Sequence, residues 1–185
     1  EFALTVDFED ARLPTVAVGD ADSAGDVVAT VPDADADLDP ILAAAADLDS
    51  RVTLESLVAR AKASPLAERS GAIATFTGRV RVKDAADDTP TTHLEFEKYE
   101  GVAADRMRTI REELEARDGV FEVLMHHRTG VIREGEDIVF VVVLAGHRTE
   151  AFRTVEDGIN RLKDEVPIFK KETTEDDEFW IHERA

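Results

Sequence analysis

The lysines of this chain are few and unevenly placed. Only six of its 22 basic residues are Lys, and three of these, Lys163, Lys170 and Lys171, lie within nine residues of one another. Unlike Arg, a Lys side chain can lose its proton when it is desolvated, so it can transfer protons or act as a nucleophile. The cluster therefore predicts either a reactive cationic site or a solvated, charged face.

Two further cationic groups follow strand-like segments. Arg79 and Arg81 alternate directly after an apolar stretch, which places them on the same side of an extended chain. His147 and Arg148 stand where an apolar strand ends and a helix begins, and the free N–H groups of a helix start favour anions. Each group predicts a site for a phosphate or carboxylate. Local pairing of the first group with Asp84 or Asp87 is the competing interpretation.

Several kinds of chemistry are excluded by what the sequence lacks. There is no Cys, so disulfides, thiolate metal sites, iron–sulfur clusters and Cys nucleophiles are excluded. The histidines lack metal-binding spacing, and His126 and His127 are expected to face opposite sides of a strand, one at the core edge and one exposed. Neither a P-loop nor a Gly-x-Gly-x-x-Gly motif occurs. We therefore predict no metal and no resident cofactor.

The charge excludes some partners. The net charge is −19, of which residues 1–50 hold −12 and the remainder −7. Without a basic stripe, nucleic acid is not expected to bind.

No apolar run approaches the roughly 20 residues that span a bilayer, and no signal-peptide pattern is present. The acidic, Lys-poor composition is typical of a cytoplasmic protein of a halophilic cell. The missing initiator Met suggests a start within a longer gene product.

The elements that must position these side chains can be predicted from apolar spacing. An acidic segment, 1–50, holds a short strand, 13–19, and a helix opened by Pro40. A connecting helix starts at Thr53 and ends before Pro65.

From residue 68 the pattern becomes regular. Strands are predicted at 71–78, 93–99, 120–129, 137–145, 168–172 and 179–182. Helices are predicted at 102–117, with Gly119 as C-cap, and at 149–166, with Phe152, Val155, Ile159 and Leu162 facing inward. Helices and strands do not alternate strictly, so the fold class is α+β: a mixed or antiparallel sheet packed by two main helices, with a small acidic N-terminal segment.

These segments together resemble one family, the large subunits of molybdopterin synthase. The matching motifs are Gly71-Ala-Ile-Ala-Thr-Phe-Thr-Gly-Arg-Val-Arg81, His93-Leu-Glu-Phe-Glu-Lys-Tyr99, His127-Arg-Thr-Gly130, Gly146-His-Arg148, Lys163-Asp-Glu-Val-Pro-Ile-Phe-Lys-Lys-Glu172 and Trp180-Ile-His-Glu-Arg184. The resemblance covers residues 68–184. We therefore predict a catalytic domain at 68–185, like the large subunits of this family. The segment 13–19 weakly resembles the tail of a P-loop accessory protein that attaches a nucleotide to molybdopterin, which suggests a cut gene fusion.

The resemblance implies a sulfur transfer. In this family a small ubiquitin-like carrier presents a thiocarboxylate on its Gly-Gly tail, and the large subunit binds the tail beside cyclic pyranopterin monophosphate. Two transfers form the dithiolene that later holds molybdenum. The family also implies a homodimer flanked by two small subunits, a heterotetramer. The absence of Cys is consistent with this scheme, in which another molecule brings the sulfur.

The resemblance also implies roles for individual residues. Lys163 matches the lysine assigned to the carrier's terminal carbonyl, and Lys170 the lysine assigned to proton transfer or charge stabilisation near the pterin. The remaining matches are substrate-binding positions: Arg79, Arg81, His147, Arg148, Lys171, Glu172 and Arg184. Arg184 is expected to reach the site of the neighbouring large subunit. The alternative function is a non-catalytic module that docks a ubiquitin-like tail, which would bind the carrier and not the pterin.

Overall fold

The computed structural model describes residues 15–19, 27–33, 35, 37, 39, 41, 52–174 and 177–181. The chain divides into two compact units, Glu1–Arg51 and Val52–Ala185. In the first unit, strands β1 (Thr15–Val18) and β2 (Val27–Val31) pair in parallel. Strand β1 lies within the segment predicted to be a strand. The helix predicted from Pro40 lies largely outside the described residues.

A buried apolar strand is at the centre of the second unit. Strand β7 (Asp137–Ala145) is flanked by the antiparallel strands β3 (Ala72–Arg79) and β5 (Val120–His127). Every residue of β7 after Asp137 is buried, as expected for a continuous apolar strand that is covered on both faces. The sequence predicted the bounds of this strand to the residue.

A second, four-stranded antiparallel sheet lies beside it. Its order is β6 (Gly130–Arg133), β4 (Thr91–Lys98), β8 (Ile168–Thr174) and β9 (Glu178–Ile181). Strand β6 was not predicted. Gly130 adopts a φ of 80°, which turns the chain after β5, so the next residues pair with β4 and do not prolong the preceding strand.

Three helices cover the central sheet. Helix α1 (Leu54–Lys62) begins with a capping box between Thr53 and Ser56, and its buried side chains pack on one face of β7. Helices α2 (Glu100–Glu115) and α3 (Arg148–Glu165) pack on the other face. These layers confirm the α+β class. Within the described ranges, no helix is long and apolar enough to span a membrane.

Two helix details were predicted wrongly. Phe152 does not face inward; its side chain is 65% exposed. Small residues such as Ala151 and Gly158 face the sheet instead, and a Cβ on Gly158 would lie 3.2 Å from Val141 Cγ1, so the helix approaches too closely for a large side chain there. Helix α2 ends with Ala116 as C-cap, and Gly119, at φ 78°, lies in the turn into β5.

Candidate active-site cleft

A cleft of about 1700 Å³ opens between the two sheets of the second unit. Its walls are the end of β3, the start of β7, the inner face of β4 and β8, and the end of α3. Its deep residues are buried and mostly apolar: Leu94, Phe96, Ile138, Val139, Leu162 and Val166. Its mouth carries four cationic side chains: Arg79, Arg81, Lys163 and Lys170. The cleft therefore combines an apolar floor with these four cations, called the cationic mouth below, and its lining also includes the acids Asp84, Asp88, Glu172 and Asp177.

The two arginines reach the cleft from the end of β3. Val80 between them is buried, which leaves Arg79 and Arg81 exposed on either side of it, and both line the cleft. Each is also paired with an acid: Arg79 Nε is 3.3 Å from Asp137 Oδ1, and Arg81 Nη2 is 2.6 Å from Asp84 Oδ1. The structure therefore contains features of both interpretations: the two arginines line a cleft that could hold an anion, and each also pairs with a nearby aspartate.

The lysines divide between the two faces of β8. Lys170 pairs across the sheet with the buried Phe96 and lines the cleft, as does Lys163 in the last turn of α3. Lys171 points to the opposite face, where its Nζ lies 3.9 Å from Glu95 Oε2 and 5.8 Å from the centre of the Trp180 ring. The alternation predicted from the sequence allowed at most one of the two lysines in a site shared with Lys163, and in the structure this residue is Lys170.

Glu172 is the acidic residue of the predicted set. It follows Lys171 on β8, faces the cleft again and accepts a hydrogen bond from the hydroxyl of the buried Thr91. This bond ties β4 to β8 at the cleft wall. The carboxylate is therefore held in place beside the cations of the mouth.

His127 lies at the floor of the cleft, although sequence reasoning gave it no function. Its side chain is 7% exposed, its ring meets Phe96 edge-on at 4.9 Å, and its Nδ1 is 2.6 Å from the carbonyl oxygen of Arg128. Burial, above all, lowers its pKa to about 4, so the ring is neutral near pH 7. The sequence predicted that one of the two histidines would be exposed. With His127 buried, this would be His126, but His126 is half-buried and its ring stacks on Phe140, because both faces of β5 are covered. In the sequence, the apolar floor could have been predicted from the alternation of Leu94 and Phe96, which places both side chains on one face of β4.

His147 and Arg148 do not join this cleft within the single chain. His147 is the N-cap residue of α3 but makes no side-chain capping bond, Arg148 is the first residue of the helix, and both are exposed. They follow Ala145, which pairs with Ala72, whereas the cleft lies where Arg79 pairs with Asp137. The intervening strand spans about 26 Å. Arg184 lies outside the described residues.

The arrangement suits binding of a phosphorylated planar molecule. The mouth offers guanidinium and ammonium groups to an anion, and the floor offers apolar surface to a ring. In the part of the chain that the structure describes, no group of three or more His, Asp or Glu side chains is placed to hold a metal.

Comparison with known proteins identifies the family. The model of the MoaE protein family matches residues 47–165. A probable molybdopterin synthase of Haloferax volcanii is 65% identical over all of this chain and 70% of its own length. The catalytic subunit of molybdopterin synthase from Pyrococcus abyssi is 36% identical over 60% of this chain and 74% of its own.

A solved structure agrees with these sequence matches. The crystal structure of molybdopterin synthase from Staphylococcus aureus matches with a TM-score of 0.58 and 33% identity, over 63% of this chain and 83% of that one. The aligned fold is the α+β arrangement described above. The chain therefore belongs to the MoaE family, the catalytic subunits of molybdopterin synthase.

Proposed function

We propose that this chain transfers sulfur from the C-terminal thiocarboxylate of a small ubiquitin-like carrier to cyclic pyranopterin monophosphate, forming the dithiolene of molybdopterin. The observation that carries the proposal is the meeting of Arg79, Arg81, Lys163 and Lys170, from three separate segments, at the mouth of one cleft. Because the chain has no Cys, the sulfur has to arrive on another molecule.

The two lysines have separate tasks in this proposal. Lys163 binds the carbonyl oxygen of the carrier's terminal glycine, and its positive charge stabilises the negative charge that develops on this oxygen when water adds to the carbonyl carbon, before the carbon–sulfur bond breaks. Lys170, beside the apolar floor, stabilises charge or transfers a proton at the pterin. In each transfer the thiocarboxylate sulfur displaces an oxygen substituent from a pterin carbon, and water then cleaves the bond between the sulfur and the carrier's carbonyl carbon. The carrier leaves as a carboxylate, so two thiocarboxylated carriers are consumed for each product.

A second copy of the chain supplies the missing cations in this proposal. His147 and Arg148 lie at the far end of β7, so they cannot contact the substrate of their own cleft. In a two-fold homodimer, the helix start of one copy can lie against the cleft of the other. We assign His147 and Arg148, and Arg184, to that position, with a carrier on each side of the dimer forming a heterotetramer.

The two residues that follow Lys170 have supporting tasks. Glu172, held by Thr91, orients the cations around it at the cleft wall. Lys171 faces away from the cleft, so we place it beside the site and not on the substrate, where it joins β4 to β9 through Glu95 and Trp180.

We infer an acidic N-terminal segment, 1–50, a connecting helix, 51–67, and a catalytic domain, 68–185, in the cytoplasm of a salt-adapted cell. The uneven charge, −12 in the first 50 residues, supports the first boundary. Helix α1 packs on the central sheet, so the connecting helix also contributes to the core of the second unit.

One reaction tests the proposal. Purified chain, thiocarboxylated carrier and cyclic pyranopterin monophosphate are incubated in high salt, and the pterin is analysed by mass spectrometry. We expect a product with two added sulfurs, and Lys163→Ala is expected to lose it while remaining folded. Lys62→Ala, at the exposed end of α1, is the control and should keep full activity. Equal product from Lys163→Ala and wild type would contradict the assignment.

A further inference from the structure

The floor of the cleft contains a buried polar group to which the proposed reaction gives no task. Among the described buried residues that line the cleft, the polar ones are Thr91 and His127. The hydroxyl of Thr91 is already bonded to Glu172. His127 is therefore the buried polar side chain whose hydrogen-bonding capacity is incompletely used.

The hydrogen bond at Nδ1 fixes which nitrogen of His127 carries the proton. A carbonyl oxygen can only accept, so Nδ1 carries the hydrogen that is donated to Arg128. In the neutral ring Nε2 then has a lone pair and no hydrogen. Nε2 has no hydrogen-bond partner among the described residues, and the ring lines the cleft. The floor thus presents one acceptor that is held in a fixed orientation.

The cations at the mouth cannot replace this acceptor. Arg and Lys side chains only donate hydrogen bonds, whereas a pterin ring has N–H and amino groups that lose their water when the ring is buried. Four acids line the cleft: Asp84 is paired with Arg81, Asp88 accepts from the backbone N–H of Ala85, Glu172 accepts from Thr91, and Asp177 lies in the turn before β9. Among the described buried side chains that line the cleft, those able to accept a hydrogen bond are Thr91, which is bonded to Glu172 at the wall, and His127 at the floor.

We propose that Nε2 of His127 accepts a hydrogen bond from an N–H or amino group of the pterin ring, which sets the ring on the floor with its phosphate toward the cationic mouth. His127 is thus a substrate-binding and specificity-determining residue. The inference rests on the function proposed above. The edge-on contact with Phe96 and the bond to Arg128 keep the imidazole in this orientation before the substrate arrives.

Calorimetric titration of the full-length chain with cyclic pyranopterin monophosphate tests the inference. His127→Asn keeps an amide near Arg128 but is too short to replace Nε2, and we expect it to weaken binding by about tenfold or more. His127→Gln, which can place its amide oxygen near the position of Nε2, should recover part of the affinity. His126→Asn, on the other face of β5, is the matched control and should bind like wild type.

The outcomes separate the two proposals. Wild type that does not bind the precursor overturns the proposed function. Wild type and His127→Asn with equal affinity overturn the task of His127 and leave the function standing. An asparagine variant that loses affinity for the carrier alone assigns Nε2 to the carrier's tail and also overturns the inference.

Nitrogen NMR of the wild-type chain gives a test that needs no variant to fold. With ¹⁵N-labelled histidine, the Nε2 signal of an unprotonated imidazole is expected to move toward the frequency of a hydrogen-bonded nitrogen when the precursor is added. The His126 signals should stay in place. An unmoved His127 signal in the presence of bound precursor contradicts the inference.

Discussion

Arg79 and Asp137 lie opposite each other where strand β3 ends and strand β7 begins, with Arg79 Nε 3.3 Å from Asp137 Oδ1. From this pair β7 runs about 26 Å to its other end, where His147 and Arg148 begin helix α3. Two cationic groups predicted for one substrate are thus at opposite ends of one strand. Only a second copy can bring them together without unfolding the sheet.

Mixing two inactive variants tests this arrangement. Lys163→Ala and Arg148→Ala are each expected to lower dithiolene formation at least about 100-fold, because each removes a charge from both sites of the dimer. When the two are co-expressed and assort at random, half of the dimers contain one intact site. About a quarter of the wild-type activity should therefore return.

The control for this experiment pairs two residues of the same cleft. Lys163→Ala mixed with Lys170→Ala leaves every site damaged, so no activity should return. Product is measured by mass spectrometry on the unseparated mixture and on mixed dimers isolated through two different tags; for the isolated Lys163→Ala and Arg148→Ala dimers about half of the wild-type activity is expected. Mixed Lys163→Ala and Arg148→Ala dimers that stay inactive would exclude sharing of a site between copies.

Lys170 and Lys171 offer a comparison between the two faces of one strand. Lys170→Ala is expected to lower kcat/KM by about 100-fold or more, because it removes a charge from the cleft. Lys171→Ala should change kcat/KM less than about tenfold, since its contacts are with Glu95 and Trp180 on the outer face. Steady-state kinetics with saturating carrier measure both. The reverse order of effects would place the substrate on the outer face.

Apolar patterning predicted the central sheet well, for a physical reason. Strand β7 is buried on both faces, so each of its positions has to be apolar, and its ends are marked by Asp137 and Gly146. The start of helix α3 after His147 follows from the same boundary. The ends of β7 and the start of α3 depend on neighbouring residues, so they can be predicted from a single sequence.

The relative placement of the site residues depends on pairing that is not local. That β3 pairs antiparallel with β7, which separates Arg79 from His147, is determined by which strands meet and not by either segment alone. The prediction for Phe152 was wrong because α3 packs through its face of small residues. Gly158 on that face lets the helix lie close to Val141 of the sheet, a contact that the sequence of the helix alone does not reveal. His127 was passed over since its surroundings come from β4, distant in sequence.

Gly71 is a position where any side chain should destabilise the fold. A Cβ there would lie 2.6 Å from the backbone oxygen of Gly146, and neither backbone segment can move freely because Gly71 N also bonds to this turn. Gly71→Ala is expected to lower the free energy of unfolding by about 2 kcal/mol or more. Gly101→Ala, in helix α2 with nothing within 4 Å of its Cβ, should be neutral or slightly stabilising. Urea denaturation of both variants measures the difference, and equal stabilities would contradict the close approach.

The buried, neutral state of His127 should make the stability of the second unit depend on pH. Burial lowers the pKa of the folded imidazole to about 4 from the ordinary 6.5 of the unfolded chain, so the unfolded state binds the extra proton first as the pH falls. The stabilisation is complete above pH 6.5 and is lost progressively toward pH 4. The loss amounts to about 3 kcal/mol.

Urea denaturation between pH 8 and 4, followed by the fluorescence of the single Trp, Trp180, measures this loss. His127→Gln has no imidazole at this position, so its stability should fall less over the same range, whereas His126→Gln retains His127 and should fall as wild type does. The remaining pH dependence, shared by all three proteins, reports the carboxylates. If the wild type and His127→Gln lose stability in parallel, the pKa of the imidazole is the same in the folded and the unfolded chain, and burial does not lower it. Nε2 would then carry a proton below about pH 6.5 and could not accept a hydrogen bond from the pterin in that range.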